Sequence, residues 1–154
     1  MRFPYKKILC AIDFDENSLS ALDKAIELAG HFNAAILMVH VVPLIVQFGD
    51  VPIAYELYEH QQNAAKAKLD EIAHERLGGI EHEIAVYTGD VVGSILEAEA
   101  RSVPDLLVMA THGRTGLAHL FLGSVAEGVV RKAGCPVLTI RPSKLDVPDK
   151  TKQH

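Results

Sequence analysis

Thr111-His112-Gly113-Arg114-Thr115-Gly116, with Gly123-Ser124 a few residues on, holds the residue types from which an anion site is built. Glycines let backbone N–H groups approach a charged ligand closely, and a helix opening behind them offers unpaired N–H groups at its start. Here the apolar run Leu106-Leu107-Val108-Met109-Ala110 feeds the glycine turn, and a helix begins near Ser124 with Val125, Val129 and Val130 on its inward stripe. A strand, a small-residue turn and a helix start in that order suit a phosphate group. The same letters have a plainer reading. Ser124-Val125-Ala126-Glu127 fits the capping box, in which serine and glutamate satisfy the first helical N–H groups themselves. The two readings are compatible, because a capping hydroxyl can turn to a phosphate when one arrives.

Other side chains near this turn have narrower possibilities. Asp13 closes the apolar run Ile8 to Ile12 and is either a strand-end turn residue or an acceptor for sugar hydroxyls. Arg114 either reaches a phosphate through its guanidinium fork or stays solvated. His112 is a tempting acid or base, but no serine or cysteine nucleophile with a positioned partner accompanies it. A loop histidine holding a backbone carbonyl is the expectation. His112 and His119 stand seven apart with no carboxylate or thiol set around them, so no structural metal is expected. No lysine follows the glycines as in a P-loop and no base is placed to activate water. Any hydrolysis of a bound triphosphate should therefore be slow.

The totals narrow the class. At 154 residues, with 49% hydrophobic and 23% charged, the chain reads as one globular domain with a real core. A net charge of −5 argues against nucleic acid or an anionic membrane as partner. No apolar run approaches the ~18 residues of a membrane span, and the run after Met1-Arg2-Phe3-Pro4 is too short for a secretory signal. Cys10 and Cys135 sit in or beside apolar runs, which predicts buried free thiols and a reducing, cytoplasmic setting.

The elements that must position these groups follow in order. Lys6 to Asp13, an apolar run ending in a carboxylate, is a buried parallel strand. Asp15 to Ser18 caps a helix carrying Leu19, Leu22, Ala25, Ile26 and Ala29, with Gly30 as its stop. Ala35 to Val42 is a second buried strand, and residues 43–53 read as irregular yet apolar, folded over a neighbour or serving as a partner-binding or lid loop. A long helix over about Ala54 to Leu77 ends at Gly78-Gly79. Glu81 to Tyr87 alternates like a half-covered strand near a sheet edge. Asp90 caps a helix with Val92, Ile95, Leu96 and Ala100 inward, and Pro104 marks its exit. The stretch Leu106 to Ile140 completes the pattern, and residues 143–154 form a polar, frayed tail after a single domain over residues 1–142. This alternation predicts an α/β fold: an open five-stranded parallel sheet, order 3-2-1-4-5, with helices on both faces. Ligands of such sheets bind beyond the strand ends where the order reverses. Asp13, the end of the second strand and the glycine turn would then surround one concave site, offering a carboxylate, an apolar slot and a helix start. A nucleotide needs those for ribose, base and phosphates.

From Lys7 to Arg141 the chain resembles the universal stress protein family in its nucleotide-binding branch, a Rossmann-like fold of the adenine nucleotide alpha hydrolase type. The resemblance rests on Ile8 to Asp13, His40-Val41, Ala110 to Leu117, Leu122 to Glu127 and Cys135 to Ile140. The family's ATP-binding pattern is Gly-x-x-Gly, nine residues, then Gly-Ser or Gly-Thr. Gly113 and Gly123-Ser124 match it, while Ala110 stands where the first glycine belongs. The resemblance implies that Asp13 accepts ribose hydroxyls, that the backbone at Val41 reads the adenine edge, and that Ala11 and Ile12 wall the slot, with Met109 and Ala110 bordering it. Gly113, Arg114, Gly123, Ser124 and the amide of Val125 would hold the phosphates of ATP or AMP, with Mg²⁺ accompanying ATP. It further implies a homodimer through the last strand, Val137 to Ile140, and a signal to a protein partner. The alanine at 110 leaves an alternative open, a member that binds no nucleotide and acts through dimerisation and protein contacts. A pyrophosphate-releasing enzyme is disfavoured, because Asp13-Phe14-Asp15-Glu16-Asn17-Ser18 replaces the Ser-Gly-Gly-rich turn such enzymes use. A phospho-receiver is disfavoured because the third strand ends Val86-Tyr87-Thr88 without an aspartate.

Overall fold

The computed structural model describes residues 3–44, 51–112 and 122–141, without side chains for 51–54. Gly113, Arg114, most of the apolar segment before the long helix and the tail 143–154 lie outside the described residues.

Among the described residues, five strands and four helices alternate along the chain. They are β1 (Lys7–Ala11), α1 (Glu16–Phe32), β2 (Ala35–Pro43), α2 (Val51–Arg76), β3 (His82–Gly89), α3 (Val91–Ser102), β4 (Leu106–Ala110), α4 (Ser124–Lys132) and β5 (Val137–Ile140). All pairings are parallel and the order is β3-β2-β1-β4-β5, the α/β sheet expected from the sequence. β1 holds the centre, and the switch in strand order falls between it and β4.

Two-residue alternation sends side chains to opposite faces. Ile8, Cys10, Met38 and Val108 pack with Leu22 and Ala25 of α1 and with Leu69 and Ala73 of α2. Leu9, Val39, Leu107 and Met109 pack with Ile95 and Ala98 of α3 and with Ala126 and Val129 of α4. The three central strands are covered on both faces, which is why their sequences are unbroken apolar runs. β3 is an edge strand, and its first residues are exposed. Among the described residues no helix is long and apolar enough to cross a membrane.

Several local expectations need correcting. α1 runs past Gly30 to Phe32, and the left-handed residue that ends it is Asn33 (φ 54°), whose N–H returns to the Ala29 carbonyl. α2 begins at Val51, so a helix replaces the end of the irregular segment. Pro52 is tolerated there because a first-turn N–H has no helical acceptor to lose. α3 buries Ser94, Ile95 and Ala98 and packs Val92 against the core, while Ala100 is exposed. Val130 is 43% exposed and off the buried stripe of α4. Cys10 is buried but Cys135 is only half-buried; both are free, and they pack against opposite faces of the sheet.

Candidate functional site

Beyond β1 the chain turns sharply, and a chain of hydrogen bonds fixes the turn. The Asp13 N–H donates to Ser18 Oγ (3.2 Å), and the Asp15 N–H donates to Asp13 Oδ1 (3.1 Å). Asp15 caps α1 by accepting from the Ser18 N–H at 2.8 Å. Burial holds the Asp15 carboxyl above the usual carboxylate range; its bond from Ser18 opposes that and the Asp13 carboxylate beside it reinforces it. Between the two acids Phe14 takes φ 68°, a conformation rare for a bulky side chain. Its ring lies 4.3 Å from the His40 ring, and the Lys68 ammonium of α2 stands 5.1 Å from its centroid. His40 Nδ1–H donates to the Ile12 carbonyl at 2.7 Å.

Beyond β4 the backbone closes on itself. Thr111 is buried, donates its N–H to the Ile140 carbonyl (3.0 Å) and accepts the Gly123 N–H at 2.8 Å. A Cβ on Gly123 would stand 3.0 Å from that same Thr111 oxygen, which makes this glycine a close-approach residue although its φ of −61° is ordinary. His112 Nδ1 lies 2.9 Å from the Thr111 hydroxyl.

Gly123, not Ser124, is the N-cap of α4, and no side chain among the described residues caps that helix. Ser124 is already its first residue. Glu127 is engaged elsewhere, accepting from Arg131 Nε and Nη2 at 3.1 and 2.8 Å. The expected capping box therefore does not form. The first turn of α4 leaves its N–H groups to whatever occupies the space in front of them.

That space is a cleft of about 770 Å³, in the size range of small-molecule sites. It brings together Ala11, Ile12 and Asp13, Val41, Met109 and Ala110, and Gly123, Ser124 and Val125, which are all the sequence candidates that lie within the described residues. It also recruits residues that sequence reasoning did not single out: Phe14, Gln61 and Lys68 on one side, Val91, Ile95 and Leu122 on the other. Gln61, Ala64, Ala65 and Lys68 recur at helical spacing with small residues between two polar ones. That stripe was the available signal for the α2 wall. Among the described residues no group of three or more His, Cys, Asp or Glu side chains gathers to hold a metal.

Comparison with known proteins completes the picture. Universal stress protein MJ0531 of Methanocaldococcus jannaschii is 33% identical over 145 residues, covering 91% of this chain and 84% of the relative. The solved structure of MJ0577, a universal stress protein of the same organism, has a TM-score of 0.82 at 28% identity, over 90% of this chain and 97% of that one. A universal stress protein in complex with cAMP (TM-score 0.67, 22% identical, 90% and 99% covered) shares the fold. So does an Arabidopsis thaliana family member with AMP bound (TM-score 0.56, 22% identical, 94% and 97% covered). The profile of the universal stress protein family matches residues 4–141. The chain belongs to the universal stress protein family.

Proposed function

We propose that this protein binds an adenine nucleotide, ATP or AMP, in the cleft beyond β1 and β4. Its output is a change in a contact with a protein partner in the cytoplasm, with at most slow ATP hydrolysis. One observation carries the reading: the first turn of α4 has no side-chain cap among the described residues and opens into a cleft that Asp13 also borders. Phosphates satisfy the free amides at Ser124 and Val125, and Gly123 lets them come close. Asp13 accepts from the ribose, the backbone at Val41 reads the base, and Ala11, Ile12, Met109 and Ala110 wall the slot. Gly113 and Arg114 add phosphate contacts. Mg²⁺ arrives with ATP, held through the phosphates. The structural relatives whose structures carry cAMP and AMP support the ligand class.

The alanine at 110 does not weigh against this. It belongs to extended β4, pairs with Ile140, and is not among the described residues with positive φ, so its methyl costs no backbone strain. β5 is the other sheet edge and leaves Leu138 exposed, which supports a homodimer through Val137 to Ile140. Titration calorimetry with ATP and AMP tests the nucleotide reading. Saturable heat and a rise in Tm at about 1 mM ligand are expected. No heat and no stabilisation with either ligand would overturn it.

A further inference from the structure

The cleft has two cation-like poles, and they lie on opposite faces of the sheet. One is the uncapped start of α4, which packs on the Leu9–Val39 face. The other is Lys68 of α2, a helix that packs on the Ile8–Met38 face. The carboxylate of Asp13 lies on the cleft wall with them. Lys68 forms no ion pair with any described residue; its ammonium rests over Phe14, 5.1 Å from the ring centroid. Lys68 is exposed at the cleft mouth, and the described cations that form ion pairs, Lys7, Lys24, Arg76, Arg101 and Arg131, do so away from the cleft with Glu83, Glu27, Asp23, Glu97 and Glu127. A cleft-lining ammonium without a carboxylate partner, placed against an aromatic ring that itself sits in a strained turn, is organised for an incoming anion.

We infer that Lys68 is a specificity-determining residue that recognises a second anionic group on the nucleotide, a phosphate on the 3′ side of the sugar. The inference rests on the nucleotide reading above. The α4 start and Lys68 come from helices on opposite faces of the sheet, and Asp13 follows the central strand β1 between those faces, so a complementary ligand is anionic at both ends with a hydroxylated middle. A nucleoside 3′,5′-bisphosphate fits that order: its 5′-phosphate meets α4, its free 2′-hydroxyl donates to Asp13, and its 3′-phosphate meets Lys68. A 5′-nucleotide leaves Lys68 unused. Phe14 acts through Lys68, as a positioning residue that keeps the ammonium at the wall.

The test compares AMP with adenosine 3′,5′-bisphosphate by titration calorimetry on the wild type and on Lys68→Met, Lys68→Arg and Lys66→Met. The readout is the ratio of the two affinities, so a general loss of binding does not mimic the effect. The bisphosphate is expected to bind about tenfold more tightly than AMP, the gain of one charge-assisted contact. The ratio falls to near one in Lys68→Met, and survives in Lys68→Arg and in Lys66→Met, whose exposed lysine lines no part of the cleft. A wild-type ratio near one, or a preference that persists in Lys68→Met, overturns the inference and leaves the nucleotide reading intact. Failure of both ligands to bind the wild type overturns the nucleotide reading and this inference with it.

Discussion

Gly123→Ala tests the junction between β4 and α4 on which the proposed site depends. The new methyl carbon would stand 3.0 Å from the Thr111 carbonyl oxygen and 3.6 Å from the His112 Cα, both backbone atoms. Neither can rotate away, as the tip of a long side chain would. Backbone preference is not at issue, because φ −61° and ψ 164° at residue 123 suit alanine. The strain must go into moving α4 away from Thr111 by a few tenths of an ångström, at the expense of the 2.8 Å bond from the Gly123 N–H. Weakening one backbone hydrogen bond and overpacking by one methyl together cost about 1–3 kcal/mol. A chain of this size then loses roughly 2–10 °C in Tm and stays folded at room temperature. The effect on ligand should be larger in proportion, since the amides of Ser124 and Val125 move with the helix. A tenth of an ångström matters little, but several tenths at two or three amides is expected to weaken ATP binding by about tenfold or more. Thermal melts give the first quantity and calorimetry the second. If the variant melts and binds as the wild type does, the close approach does not shape the site and the reasoning fails.

Three further outcomes follow from local geometry. Val103, the C-cap of α3, is β-branched at φ 47° and 71% exposed, so Val103→Gly removes strain and little packing; the urea midpoint should rise by the equivalent of about 0.5–1 kcal/mol with m unchanged, and a fall would count against the strain. Gly128→Ala would put a methyl 2.9 and 3.1 Å from the two γ-methyls of Val92, whose stiff χ1 cannot yield. Destabilisation of about 1–3 kcal/mol should outweigh the ~1 kcal/mol of helix propensity gained and be relieved in Val92→Ala/Gly128→Ala; a more stable single variant refutes the α3–α4 contact. Both thiols are pushed from 9.0 to about 12, Cys10 by burial and then by Asp23, Cys135 by burial and then by Glu99. The unfolded chain therefore loses these protons before the folded one. Stability should hold below pH 9 and drain away as pH rises toward about 12, less steeply in Cys10→Ala; neither thiol should alkylate quickly in the folded protein at pH 8.

How much of this could be read from the letters depended on the length scale of the cause. Sheet order and strand identity came through because a strand buried on both faces must be apolar throughout, as Ile8 to Ile12 and Leu106 to Ala110 are. That the described candidates border one cleft was legible because they follow directly on strand ends. A shift of one residue undid the capping box: with Gly123 as N-cap, Ser124 sits inside the helix and Glu127 turns to Arg131 one turn on. Serine followed by glutamate three later is common to both registers, so only the backbone distinguishes them. The strained Phe14 and the α2 wall were hidden for another reason. Propensity assigns phenylalanine no left-handed turn, and nothing in a polar helix shows which of its exposed lysines borders a cleft until the helix is docked against β2 and β3.

Ala110 shows how a motif mismatch should be weighed. Glycine is indispensable where the backbone is left-handed or where another backbone comes too near for a Cβ. Neither condition holds at residue 110: the strand is extended there, paired in register with Ile140, and the residue packs against the core shared by α1 and α2. The second condition does hold at Gly123, where a carbonyl waits at 3.0 Å. The two positions of one motif thus carry unequal weight in this chain. Replacing Ala110 by glycine should change nucleotide affinity little and lower stability by about 1 kcal/mol, through lost side-chain contact and a freer unfolded chain. A large gain in affinity from that single change would mean that the methyl, and not the α4 junction, limits binding.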